Sequence, residues 1–284
     1  MSSRNQAFEA TAGLLGDTAR RDYSSKLGLF NLFAEPELRR AVDGLALEPG
    51  MRVLDAGCGT GEALAWLQRA VAPRGSVLGI DLSAAHVAAA RRAGPPEIRV
   101  LQANLLELPF AAGSFDLIWC VNTINHLHDP VLGVKRLAAL LSPRGRIALG
   151  QSSFLPDMYF AWDSRLERLT NEAVRAYYRD RYSLSERDLT KTRGLVGLLQ
   201  RAGVPRVQAR TYAIERTTPL DPAAERYLLD AIFRGTWGER LQPYLSEEDY
   251  AELGCLCDPE DPRFALRRPD FHFLQTFSLV VGEL

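Results

Sequence analysis

Val53-Leu54-Asp55-Ala56-Gly57-Cys58-Gly59-Thr60-Gly61-Glu62 is the stretch that decides the fold of this chain. An apolar pair ends in an acid, a glycine-rich turn follows, and Glu62–Ala72 has the composition of a helix. Twenty positions after Gly61 a second apolar run, Val77-Leu78-Gly79-Ile80, closes on another acid, Asp81. Strand, tight turn, helix and a second acid-tipped strand describe a nucleotide-type site at the carboxyl end of a parallel sheet. The glycine spacing also selects among ligands. A dinucleotide fingerprint needs Gly-x-Gly-x-x-Gly, but here the third glycine comes one residue early and Glu62 holds its expected place. A carboxylate at a helix N-terminus repels a pyrophosphate. The loop therefore suits a ligand without phosphates.

Outward from this stretch, strand and helix patterns alternate from about residue 36 to 150, which implies right-handed crossovers and a parallel sheet. Strands are expected at Arg52–Asp55, Val77–Asp81, Ile98–Gln102, Phe115–Cys120 and Arg146–Gly150, and helices at Glu35–Leu45, Glu62–Ala72, Ala84–Ala93 and Pro130–Leu141. Proline–glycine turns such as Pro49-Gly50 and Pro143-Arg144-Gly145 separate them. Beyond residue 150 the pattern loosens. Tyr159, Phe160, Trp162, Tyr177, Tyr178 and Tyr182 recur at roughly helical spacing, and Ser183 with Glu186 fits a capping box opening a helix. A helix Asp188–Ala202 stops at Gly203; Val207–Ile214 and Phe271–Val281 read as strands.

Four motifs in order carry a family resemblance. Asp55-Ala56-Gly57-Cys58-Gly59-Thr60-Gly61 resembles the glycine-rich motif of class I S-adenosylmethionine-dependent methyltransferases. Gly79-Ile80-Asp81-Leu82-Ser83 resembles their second motif, and Gln102 to Phe110 with Gly113 to Ile118 resembles the adenine-contacting loop and fourth strand. Leu141 to Leu149 resembles the turn into the fifth strand. The likeness covers roughly residues 35–150 and thins on both sides. It implies an α/β fold: a Rossmann-like, seven-stranded, mostly parallel sheet with helices on both faces. In the family the last two strands form an antiparallel hairpin on the sheet edge. Here about 50 residues (219–270) separate them, so a helical lid built from insertions is expected. The resulting division is an N-terminal lid segment (1–34), a cofactor-binding core (35–150) and a helical lid insertion (151–187). A core helix with strand six (188–218), a second helical insertion (219–270) and the final core strand (271–284) complete it.

The resemblance also implies roles. S-adenosylmethionine would be the cofactor and S-adenosylhomocysteine its product. Gly57, Cys58, Gly59 and Gly61 would let the backbone pass beneath the cofactor's amino-acid part without a Cβ clash, Asp55 would face its ammonium, and Asp81, next to Leu82, would accept both ribose hydroxyls. Asn104 stands where the family usually has Asp, opposite the adenine amine; Leu105 would offer a backbone N–H, and Cys120, which ends the fourth strand, would also contact the cofactor. His86 falls where an apolar residue commonly packs near the adenosine, and is read as packing or partly exposed. After that strand, Asn122, Asn125 and His126 precede His128-Asp129-Pro130 in a loop that faces the transferring methyl group. Asn122, His126 and Tyr23 are the candidate catalytic groups, His126 as a base or alternatively as a cap of the next helix or a partner of a loop carbonyl. Arg20-Arg21-Asp22-Tyr23 is of a kind that folds over the cofactor in related enzymes; Tyr23 and Tyr159 are further candidate substrate contacts. The aromatic stretch from Phe154 to Tyr182, with Trp237 and Tyr244, reads either as an apolar acceptor pocket or as the core of the lid.

Composition bounds the alternatives. At 284 residues, 46% hydrophobic and 24% charged, the chain can bury an ample core. A net charge of −1 creates no field that would draw it to nucleic acid, and the loop after the fourth strand lacks the Asn-Pro-Pro-Tyr pattern of nucleic-acid methyltransferases. Three of the 34 basic residues are lysines (Lys26, Lys135, Lys191), a bias that reads as genomic. No apolar run approaches the ~20 residues that span a bilayer, and the N-terminus has no hydrophobic signal core. Four cysteines are too few and too scattered for a disulfide framework; the close pair Cys255 and Cys257, with no histidine cluster nearby in sequence, reads as two reduced thiols, with a metal site as the alternative. The expectation is a cytoplasmic methyltransferase, monomeric or homodimeric, that acts on a small-molecule O, N or C acceptor without metal, nucleic-acid or membrane partners. The alternatives are a cofactor-binding homologue that transfers no methyl and, disfavoured by Glu62, a nicotinamide-dependent oxidoreductase.

Overall fold

The computed structural model describes residues 13–152, 159–160, 162–185 and 194–284. Its centre is a sheet in which β1 (Arg52–Ala56), β2 (Ser76–Asp81), β3 (Arg99–Gln102), β4 (Phe115–Val121) and β5 (Leu141–Ser152) run parallel in the order β3-β2-β1-β4-β5. Two later strands extend it antiparallel. β7 (Arg206–Thr217) is the outer edge and pairs along its whole length with β8 (His272–Glu283), which lies against β5. This is the expected seven-stranded plan. β6 (Tyr159–Phe160), a two-residue strand pairing with Leu274 and Phe273 of β8, is an addition the sequence did not suggest.

Strand alternation sends successive side chains to opposite faces, and two cores result. Val53, Leu117 and Trp119 join the core under α1 (Ser24–Asp43), α2 (Glu62–Val71) and α3 (Ala84–Ala93). Leu54, Ile118 and Cys120 join the core under α4 (Pro130–Ala138) and α6 (Leu195–Arg201). Local chemistry sets the helix starts: Ser83 Oγ accepts from His86 N–H at 3.3 Å, and Asp129 Oδ1 from Leu132 N–H at 2.9 Å with Pro130 in the first turn.

The lid comprises α5 (Ser164–Tyr182), α7 (Pro222–Arg226) continuing as a π-helix Tyr227–Trp237, and α8 (Glu247–Cys257). Phe160, Phe233, Trp237, Phe271 and Phe273 pack there with at most 5% of their surface exposed, and Phe160 stacks on Trp162 at 4.4 Å. These rings are the lid's core, which corrects the acceptor-pocket reading for them. Apolar rings at helical spacing bury against each other more cheaply than they line an open cavity. Phe154 lies outside the described residues, as does the start of the helix expected from Asp188.

Three further expectations change. The helix expected from Glu35 begins at Ser24, so the boundary between residues 34 and 35 falls inside α1. Pro36, which falls in the first turn of the helix expected from Glu35, sits in the helix interior. The missing hydrogen bond is offset by the burial of Phe33, whose ring stacks on Tyr227 at 4.3 Å and lies under the Arg216 guanidinium. Ser183 does not open a helix; it closes α5 in the left-handed conformation, with φ +53°. Lastly, β5 continues to Ser152, past residue 150.

Candidate active site

The chain leaves β1 toward β2 and β3 on one side, and β4 toward β5 on the other. The crevice between β1 and β4 is thus the switch point of the sheet, where such folds bind ligands. A cavity of about 410 Å³ opens there, over the carboxyl ends of β1, β2 and β4.

The glycine loop forms its floor. Gly57 and Cys58 donate to Ile80 O at 2.8 and 2.9 Å, tying the loop to β2. Gly57 has φ +86°, and a Cβ on it would stand 2.2 Å from Thr123 Oγ1, so only glycine fits between β1 and the β4 loop. Gly61 does not line the cavity. It caps α2 in the left-handed conformation, where a Cβ would meet Ala90 at 2.9 Å, so its work is to let α2 approach α3. Cys120 is also absent from the lining: Trp119 and Val121 face the cavity, and alternation turns Cys120 into the opposite core. Burial there pushes its thiol well up. The expectation that Cys120 contacts the cofactor is corrected accordingly.

Two acids define the electrostatics. Asp55 is 2% exposed, and its Oδ2 is buried without a hydrogen-bond partner. Burial, with the nearby charges of Asp81 and Glu62, pushes its carboxyl well above the usual range. Asp81 is held rigidly. Its Oδ2 accepts from Gly59 N–H at 2.9 Å, and its Oδ1 accepts from Ser83 N–H at 2.9 Å and lies 3.2 Å from His86 Nδ1. His86 is 1% exposed, so it packs as expected but is not partly exposed, and it adds a specific contact to Asp81. A buried imidazole needs partners on both nitrogens; Tyr23 N–H approaches its Nε2 at 3.5 Å, and the Tyr23 ring meets it edge-on at 4.4 Å.

Leu82, Leu105 and Asn104 form the wall beyond β2 and β3, where Asn104 Oδ1 accepts from Leu106 N–H at 3.0 Å. Asn122 and His126 line the opposite wall. Asn122 takes φ +52°, and its amide is committed to β5, accepting from Ser152 N–H at 2.8 Å and donating to Ser152 Oγ at 3.3 Å. It shapes the site and has little left to offer a substrate. His126 Nδ1 lies 2.5 Å from Asp17 Oδ2. Tyr23 is a donor here, since burial and then Asp17 and Asp81 hold its phenol protonated.

Several lining residues went unforeseen. Leu27, Phe30 and Asn31, on one face of α1, join the expected Tyr23 at its N-cap, a helical spacing legible only once the helix is started at Ser24. Glu62, noted earlier only as repelling phosphate, lines the cavity and accepts from Asn31 Nδ2 at 2.7 Å. Asp17, 109 residues from His126, carried no local signal.

Comparison with known proteins agrees with this geometry. The family described as a methyltransferase domain matches residues 53–145, from β1 to the turn inside β5. Residues 53–145 are therefore a methyltransferase domain. The methyltransferase domain is 36% identical over 117 residues to 27-O-demethylrifamycin SV methyltransferase of Amycolatopsis mediterranei, a match covering 39% of this chain and 42% of that one. It is 37% identical over 111 residues to 2-phytyl-1,4-naphthoquinone methyltransferase of Thermosynechococcus vestitus, covering 38% and 49%. The chain thus matches less than half the length of either relative. Among solved structures, the YcgJ protein of Bacillus subtilis aligns over 88% of this chain and 98% of its own, with a TM-score of 0.54 at 18% identity, a likeness of fold.

The residues fit the family's cofactor. Asp17, Asp55, Glu62, Asp81 and Asp129 line the cavity, and neither lysine nor arginine is among the described lining residues. Such a lining favours a ligand with net positive charge, and the buried oxygen of Asp55 awaits a donor. A sulfonium with an ammonium supplies both. Among the described residues no helix is long and apolar enough to cross a membrane, and no cluster of His, Cys, Asp or Glu could hold a metal ion.

Proposed function

We propose that the protein methylates a small organic acceptor at a protic heteroatom, with His126 as the base. The acidic cavity at the switch point carries this reading. Asp55 faces the ammonium of the cofactor, Asp81 the ribose hydroxyls, and the Asn104–Leu105 segment the adenine edge. S-adenosylmethionine, when bound, supplies a methyl group that leaves its sulfonium sulfur by in-line displacement. The protein's share is then alignment and exclusion of water, which for well-placed reactants contributes on the order of 7–11 kcal/mol. Residues 13–23 and α1 lie over the cavity and serve that exclusion.

The two curated relatives are named for a rifamycin and a naphthoquinone acceptor, both small organic molecules, which supports the same class here. A dinucleotide is disfavoured because its pyrophosphate would meet Glu62 and Asp81 across the loop. Calorimetric titration with S-adenosylhomocysteine tests the reading. Binding is expected in the wild type, and Asp81→Ala should weaken it roughly 10- to 100-fold, the loss of charge-assisted hydrogen bonds worth about 1.5–3 kcal/mol. A folded wild-type protein that binds no S-adenosylhomocysteine overturns the cofactor assignment. Wild-type-like affinity in Asp81→Ala overturns the role given to that residue.

A further inference from the structure

Residues 13–23 form a strap across the mouth of the cavity. On one side Ala84 N–H donates to Ala19 O at 3.0 Å and Ser83 Oγ to Arg21 O at 2.7 Å; on the other, Leu14 N–H donates to His126 O at 2.8 Å. The strap places one carboxylate at the acceptor wall. Asp17 Oδ2 lies 2.5 Å from His126 Nδ1, while its Oδ1 accepts from Arg21 at 3.2 Å. Both partners remain in contact with the cavity, with 24% of the His126 side chain and 13% of the Asp17 side chain exposed.

We infer that Asp17 is a positioning residue that makes His126 the proton acceptor for a hydroxyl substrate. A carboxylate accepting from Nδ1–H fixes the tautomer whose Nε2 lone pair is free. His126 lines the cavity, so that lone pair is available to a bound acceptor. The acceptor O–H bond breaks, its proton passes to Nε2, and the oxygen's electron pair forms the new bond to the methyl carbon while the sulfur–carbon pair returns to sulfur. The imidazolium so formed sits against an anion already in place. Burial opposes the charge on Asp17, but His126 and Arg21 keep its carboxyl below the usual range, so it stays ionised to do this. A neutral amine attacks before it loses its proton and needs no such pair; an alcohol or phenol does. The dyad therefore selects a hydroxylated acceptor.

This inference rests on the methyltransferase reading above, and its test separates the two. Nitrogen-15 NMR of histidine-labelled protein, alone and with S-adenosylhomocysteine, reads the tautomer of His126 directly. The chain has four histidines, and His126→Gln identifies the signal. The wild type is expected to show the Nδ1–H form. Asp17→Ala should lose it; Ser83→Ala, which loosens the strap without touching the dyad, should retain it. With a hydroxylated acceptor found by labelled-methyl screening, Asp17→Asn should lower kcat about 10- to 1000-fold, and Asp17→Glu should recover part of that loss. An Nε2–H tautomer in the wild type, or an unchanged kcat in Asp17→Asn, overturns the inference while leaving the methyltransferase reading intact. Failure of the wild type to bind S-adenosylhomocysteine removes the reading instead.

Discussion

Asp55 illustrates how much one carboxyl can report about a ligand. Burial, with Asp81 and Glu62 nearby, raises its pKa well above the ordinary carboxylate value and so favours its protonated form in the free protein. A raised folded-state pKa contributes stability that is present at low pH and lost as pH rises through that pKa. A cationic ligand reverses the balance by favouring the anion, and binding must then release the proton. S-adenosylhomocysteine affinity should accordingly increase with pH until Asp55 is ionised in the free protein. Titrations in two buffers of different ionisation heat measure the proton count. The wild type should release protons, and Asp55→Asn should release fewer; equal release in both assigns the proton elsewhere. At the same scale, Asp55 and Asp81 were legible from sequence because each ends an apolar strand, where geometry leaves an acid little to do but face a ligand. Asp17 was not legible, because nothing in its neighbours announces a partner so far along the chain.

At the scale of elements, the β1–α2 turn binds the site together. Gly57 and Gly50 both have positive φ, +86° and +99°, but a Cβ on Gly50 would meet nothing within 4 Å, while one on Gly57 would collide with Thr123. The comparison separates conformational strain from steric exclusion. Gly50→Ala should cost about 1 kcal/mol, the strain alone. Gly57→Ala should cost roughly 2–4 kcal/mol, strain plus overpacking, and abolish measurable S-adenosylhomocysteine binding. Equal unfolding midpoints in urea for the two variants count against this picture. The β4 strand shows the reach of simple periodicity: alternation determines that Trp119 and Val121 line the cavity and Cys120 does not. Applied to the last residues of the strand, it corrects the expectation that residue 120 contacts the cofactor. The true start of α1 carries no comparable signal, because a helix beginning at Glu35 already accommodates Pro36 in its first turn. Only the packing of Phe33 on Tyr227 shows why the helix extends upstream through Ser24.

Across the whole molecule, one contact ties the N-terminal helix to the C-terminal hairpin. Arg216 on β7 donates to Glu37 of α1 at 2.9 Å and lies over the Phe33 ring, its centre 4.7 Å away. Both side chains are largely buried, at 13% and 6% exposed. Removing one partner of such a pair strands the other, although Arg40, at 3.0 Å from Glu37, softens the loss. Arg216→Ala should therefore destabilise the fold by roughly 2–3 kcal/mol in urea unfolding. Because α1 supplies Tyr23, Leu27, Phe30 and Asn31 to the cavity, S-adenosylhomocysteine binding should weaken as well. Unchanged unfolding in this variant would show that α1 is held by its apolar face alone.

By itself the sequence determined the parallel sheet, the strand that carries each acid, the glycine turn and the class of ligand. These follow from periodicity and from backbone limits that act over a few residues. Tertiary structure alone decided the position of Asp17 against His126, the burial of His86 on Asp81, the face of α1 turned to the cavity and the use of the lid's aromatic rings as core. Each of these depends on which distant segments share a space, and that is settled by how the whole chain buries its apolar surface.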